Sequence, residues 1–187
     1  MNPVWVWVLV SLAVLLLGVA LLVRGRSYLR RRTAALRRRF GREYDRVVHD
    51  LGQSRGEAEL LARIKRRREL AIRGLGPDER RRFEAAWESA QGAWWETPIA
   101  GLRDADLLVL QVMRERGYPV EHVEDRIQVL SVDHADHVEQ YRSGHALAMT
   151  DDGAARDNEE VRQAIIGHRY LFFELLQGGE PERTRRR

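Results

Sequence analysis

Three of the six histidines in this 187-residue chain fall in one short stretch, Ser131-Val-Asp-His-Ala-Asp-His-Val-Glu-Gln-Tyr-Arg-Ser-Gly-His145. Imidazoles at this density can ligate a metal, relay a proton or hydrogen-bond inside a core. Metal binding needs two or three of them to converge, with carboxylates behind to orient the rings. The usual helical zinc pattern sets histidines four residues apart, with a glutamate directly beside the first. Here His134 and His137 stand three apart, and Ala135 and Asp136 follow His134. That spacing argues against a zinc centre. Read as one helix, the stretch puts His134, Val138, Tyr141 and His145 on one face, and His137 shares a neighbouring face with Tyr141.

His168 keeps different company. Ile165, Leu171 and Phe172 flank it on an apolar stripe, where a lone histidine is more often a core residue satisfied by a hydrogen bond than a ligand or base. If the last two helices pack antiparallel, Tyr141 and His145 approach His168. The expectation is a polar cluster of His134, Tyr141, His145 and His168 that specifies packing. The chain has no cysteine, which excludes disulfides, thiolate metal sites and thiol nucleophiles, and fits a reducing compartment. Ser131 and Ser143 stand near histidines without a G-x-S-x-G elbow. Gly52, Gly56, Gly74 and Gly76 lack the spacing of a P-loop or a dinucleotide fingerprint. The acid pairs Glu124/Asp125, Asp151/Asp152 and Glu159/Glu160 suit turns and helix N-termini. The residues thus offer no catalytic group, no cofactor-binding residue and no metal ligand.

The elements that must carry these residues are helical throughout. Leu36, Phe40, Tyr44, Val47 or Val48, and Leu51 recur at helical spacing over Tyr28–Leu51, and Gly52 to Gly56 interrupts them. A second helix is expected over Glu57–Ile72, and Leu75-Gly76-Pro77 reads as a stop and restart, with Asp78 and Glu79 complementing the new helix dipole. This third helix runs to about Trp95, burying Phe83, Trp87, Ala90 and Trp94. Thr97-Pro98 predicts an N-cap and first-turn proline for a helix reaching Arg116. Its Leu102–Met113 portion is apolar nearly all round, as a central bundle helix would be. A shorter helix follows Gly117-Tyr-Pro119 through Val120, Val123, Ile127 and Leu130. Ser131 or Asp133 is expected to cap the next, which ends near Met149. Asp151 to Asn158 reads as a polar turn. The last helix, Glu159–Gln177, has an apolar face and is stopped by Gly178-Gly179, with a disordered tail beyond. No stretch alternates with period two, so the predicted fold class is all-α.

Ahead of these helices, residues 3–23 carry no charge, and nine arginines without an acid follow between Arg24 and Arg42. Twenty-one helical residues rise about 31 Å, the hydrocarbon thickness of a bilayer. With no basic residue ahead and no small-residue cleavage site behind, the segment reads as an uncleaved signal-anchor. Its basic flank predicts an N-terminus outside and a body in the cytoplasm. The expected divisions are a transmembrane helix over 1–23, a basic helical arm over 24–76, a helical bundle over 77–177 and a basic tail over 178–187. Residues 103–180 hold sixteen acids against eight bases, so the high overall pI belongs to the arm. Arg24, Arg26, Arg30, Arg31, Arg32, Arg37, Arg38 and Arg39 are expected to meet anionic lipid. Nucleic acid is disfavoured, because only Tyr28 and Phe40 interleave the arginines as stacking platforms.

The portion from Phe40-Gly-Arg-Glu-Tyr44-Asp to Leu176 resembles a family of uncharacterised actinobacterial single-span membrane proteins. The landmarks are that FGREYD start, VMRERGYPV at Val112–Val120, SVDH at Ser131–His134, Tyr141-Arg142 with His145, and HRYLFFELL from His168. The resemblance implies cytoplasmic-membrane localisation and a cytosolic helical domain, and it brings no activity and no catalytic residues. The expected function is a membrane-anchored interaction or scaffold protein that presents an acidic helical domain to an unidentified protein partner. The alternative is a membrane-tethered ligand- or metal-binding domain, or an enzyme, using the Tyr141/His145/His168 region.

Overall fold

Helix α1 (Val4–Phe40) carries the uncharged run and the arginines in one continuous helix. The computed structural model describes residues 4–91, 97–150 and 158–178, and it separates into two units, Met1–Arg39 and Phe40–Arg187. Within the first unit, the most apolar eighteen-residue window of α1 has a mean hydropathy of 2.5 and is unburied. By length and composition this helix can cross a membrane. Arg24, Arg26, Arg30, Arg31, Arg37, Arg38 and Arg39 are exposed along it, and Arg32 is half-buried.

The second unit begins with α2 (Arg42–Leu51) and α3 (Gln53–Glu69), a helical hairpin turning at Gly52. Gly41 has φ +50°, a left-handed value that breaks the single helix expected from Tyr28 to Leu51. Where an arm reaching residue 76 is expected, the compact unit already starts at Phe40, because Glu43, Tyr44, Leu60 and Arg63 bury their side chains in it. Helix α3 also stops three residues short of Ile72. The chain from Leu70 to Gly76 runs without helix, held by Arg73 N–H donating to Arg116 O at 2.9 Å.

Helix α4 (Pro77–Gln91) starts as the sequence predicts, with Pro77 in the first turn. Glu79 reaches back to accept the Gly76 N–H at 2.8 Å, as the acid of a capping box does. Helix α5 (Pro98–Arg116) also has its proline in place, but the Thr97 side chain makes no capping bond. At the far end Gly117 (φ +88°) forms a Schellman closure, with Tyr118 N–H on Met113 O and Gly117 N–H on Arg114 O. Helix α5 is the hub: α8 (Asn158–Gln177) packs along it, and α4 and α7 (Val138–Ala148) contact it. It is not apolar in use all round, since Leu107 and Gln111 face solvent. The core gathers Phe83 and Trp87 of α4, Val109, Val112 and Met113 of α5, and Leu171, Phe172 and Leu175 of α8. Trp87 and Phe172 stack at 4.4 Å between centroids.

The histidine-rich stretch departs most from the sequence reading. Ser131 and Asp133 do not cap a helix that follows; they close the last turn of α6 (Val123–Asp133). His134 is the C-terminal cap of α6, and α7 begins only at Val138. His134 therefore shares no continuous helix with Tyr141 and His145. The expected extension to Trp95, the polar turn at 151–157 and the tail after Gly178 lie outside the described residues.

Candidate functional site

Asp106, on the buried side of α5, organises the cluster that α7 and α8 bring together. Its Oδ2 lies 2.9 Å from Nδ1 of His145 and its Oδ1 lies 3.1 Å from Nε2 of His168. The second nitrogen of each ring has a partner of its own. Nδ1 of His168 faces the Ala164 carbonyl at 3.0 Å, so both of its ring nitrogens face acceptors. Nε2 of His145 faces the Arg126 guanidinium at 3.2 Å, so it accepts there while Nδ1–H donates to Asp106. The arrangement is a buried carboxylate between two imidazoles, with an arginine behind one of them. Burial pushes the Asp106 carboxyl up, yet the bonds from His145 and His168 outweigh it and hold the group at about 2.

Tyr141 closes this cluster with its ring 5.8 Å from His145 and 5.3 Å from His168. Among the described residues its hydroxyl has no partner in hydrogen-bonding geometry, and the Arg126 guanidinium carbon lies 5.8 Å from the ring centre. Burial, reinforced by the Asp106 charge, drives the Tyr141 hydroxyl well above its ordinary pKa. Gly144 lets α7 come this close: a Cβ there would stand 2.5 Å from Cε1 of His168. The expected approach of Tyr141 and His145 to His168 is thus present in the structure. The carboxylate between them is Asp106, which sequence reasoning missed. Its signal was an acid on α5 with Leu102 four residues before and Val109 three residues after.

His134 belongs to a second cluster. Its Nδ1 lies 3.2 Å from Oε2 of Glu174, an ion-pair distance outside hydrogen-bonding geometry, and Nε2 of His137 stands 3.2 Å from the same oxygen. Nε2 of His134 is 3.3 Å from the Tyr118 hydroxyl, which also reaches Asp133 at 3.4 Å. His134 holds the Glu174 carboxyl below its ordinary range. The ring of His137 stacks on exposed Tyr170.

Glu43 centres a third group that sequence reasoning passed over. Its carboxylate accepts from Arg46 at 2.7 and 2.9 Å, from Arg63 at 2.7 Å and from Arg142 at 3.2 Å. Burial raises this carboxyl, and the three arginines bring it down to about 2. Arg63 also bonds Ser131 Oγ at 3.2 Å, and Arg67 pairs with Asp133, so both would-be caps serve tertiary contacts instead. A cavity of about 630 Å³ lies beside this hub, between α2, α7 and the start of α8. Gln140, Ser143 and Gly144 line it, while Tyr141, His145 and His168 do not.

The chemistry of the Asp106 cluster is inward. Each carboxylate oxygen is committed to a separate ring, and among the described residues no group of three or more His, Asp or Glu side chains is placed to hold a metal ion. No family model, curated protein or solved structure matches the chain. The resemblance at FGREYD, VMRERGYPV and HRYLFFELL therefore rests on those residues alone.

Proposed function

We propose that this chain is a single-pass anchor of the cytoplasmic membrane that holds an acidic helical body on the cytoplasmic side and presents it to a protein partner. The observation that carries this reading is the junction inside α1, where an unburied apolar helix passes into eight arginines, Arg24 to Arg39, without a break. Basic residues on that flank favour the cytoplasmic side, so the N-terminus lies outside. The arginines from Arg24 to Arg39 then stand at the level of anionic headgroups, where each cation adds on the order of 1 kcal/mol of attraction. A binding role for the body fits its polar clusters. Glu43, Asp106 and His168 are buried and engaged with other side chains of the same body, as in a rigid scaffold.

A ligand- or metal-binding role centred on Tyr141, His145 and His168 is the weaker reading. Tyr141 and His168 have no exposed surface, and the cavity beside Glu43 is lined by other residues. The test of the main reading is topological. A reporter active only outside the membrane, fused after Arg187, stays silent in cells, and the same reporter fused ahead of Met1 is active. The reverse pattern overturns the orientation, and a body released free of membranes overturns the anchor.

A further inference from the structure

Helix α3 presents two unlike faces. Gly56, Glu57, Leu60 and Arg63 point into the body. Gly56 lies so close to α2 that a Cβ there would stand 3.0 Å from Val48 Cα. On the opposite face Arg55, Ala58, Leu61, Lys65 and Arg68 recur every three or four residues, and all are exposed. Arg55 and Arg68 have no hydrogen bond or ion pair among the described residues, and Lys65 has only a loose approach of 3.9 Å to exposed Glu69. An exposed leucine and alanine between cations that are unpaired or only loosely paired among the described residues form an unusual surface for a body whose later helices are acidic.

We propose that this face of α3 is a second membrane contact, resting on the anionic leaflet through Arg55, Lys65 and Arg68 with Leu61 at the headgroup boundary. Three observations select this occupant. The charge is complementary to lipid phosphate, and lysine and arginine stems bury their methylenes while their heads reach the phosphates. The mixture of exposed apolar and basic positions on one helical face is the pattern of an interfacial helix. Chain connectivity supplies the third: α3 begins thirteen residues after α1 ends, so a bilayer holding α1 is presented to α3 at high effective concentration. The inference rests on the membrane-anchor reading and adds a second contact, one that gives the body a preferred side towards the bilayer.

The full chain, which has no native cysteine, allows a direct test. Single variants Ala58→Cys on α3, Leu107→Cys on α5 and Ser27→Cys in α1 each carry an environment-sensitive fluorophore. They are reconstituted in nanodiscs of phosphatidylcholine alone or enriched in phosphatidylglycerol, with a lipid-borne quencher. The expected result is quenching at position 58 only in the anionic discs, none at 107, and quenching at 27 in both. Reversing Arg55, Lys65 and Arg68 to Glu abolishes the signal at 58 and leaves that at 27. Absence of quenching at 58 with quenching at 27 retained overturns the α3 contact and keeps the anchor. Loss at both positions overturns the anchor and the contact with it. Quenching at 58 that is equal in neutral discs, or survives the charge reversal, also overturns the proposal. A change in emission that follows protein density rather than lipid charge assigns the face to a second copy of the chain and does the same.

Discussion

Asp106 and Glu174 each stand between two histidines, on neighbouring helices of the same body, and their surroundings make them different objects. Asp106 is sealed, at 1% exposure, and each of its oxygens takes a separate ring. Glu174 offers one oxygen to both His134 and His137, with its side chain 43% exposed. In a buried setting, the loss of one partner leaves a charge that neither water nor protein compensates. At a half-open site water replaces what is lost, and the pair contributes little. The inventory of one acid and two imidazoles is shared. Burial decides whether that inventory is a keystone or a surface contact.

The largest effect that tests this contrast is Asp106→Ala. It leaves the buried rings of His145 and His168 without their shared acceptor and is expected to destabilise the full chain in detergent by about 3–5 kcal/mol in denaturant unfolding. A loss below about 1 kcal/mol would mean the cluster is loosely coupled. Acid sharpens the same point. Asp106 titrates near 3.8 in an open chain and at about 2 when folded. Its stabilisation is therefore complete above about pH 4 and disappears as the pH falls through about 2. The gap between the parent chain and Asp106→Ala should narrow across that window. A gap that stays constant there breaks the assignment.

Gly144→Ala ranks next. The added methyl meets His168 at a distance no real contact adopts, so the ring must shift or α7 must move off α8. The cost expected for such overpacking is about 1–3 kcal/mol, read as a lowered unfolding midpoint. The smallest effect belongs to Glu174→Gln. With the site half-open, the loss should stay within about 1 kcal/mol in the same measurement. If Glu174→Gln costs as much as Asp106→Ala, burial does not separate the two clusters and the comparison fails.

Legibility from sequence follows the same divide. The α8 face was readable because its apolar residues repeat at helical spacing, and His168 was correctly placed among them as a core histidine. The start of α4 was readable because Pro77, Asp78 and Glu79 act on their own turn. The stretch Ser131-Val-Asp-His-Ala-Asp-His was misread for a comparable local reason. Ser131 and Asp133 have the side chains of helix caps, but Arg63 and Arg67 of α3 engage them, and α6 runs on to Asp133. Glu43 has no mark in the sequence beyond its place in the FGREYD run. Its three arginine partners come from α2, α3 and α7, and no spacing rule connects them.

What the chain determines by itself is local and additive: helices wherever apolar residues recur at three and four, a closure at Gly117, and an uncharged run ended by arginines. Those follow from backbone sterics, side-chain periodicity and the cost of charge in hydrocarbon, each acting over a few residues. Tertiary structure alone decided which of many acids are buried, and with whom. Asp106 meets His145 and His168 across 39 and 62 residues of chain. Desolvation makes such a pairing strong only once three helices have closed over it, and that closure depends on packing at Gly144 rather than on any motif.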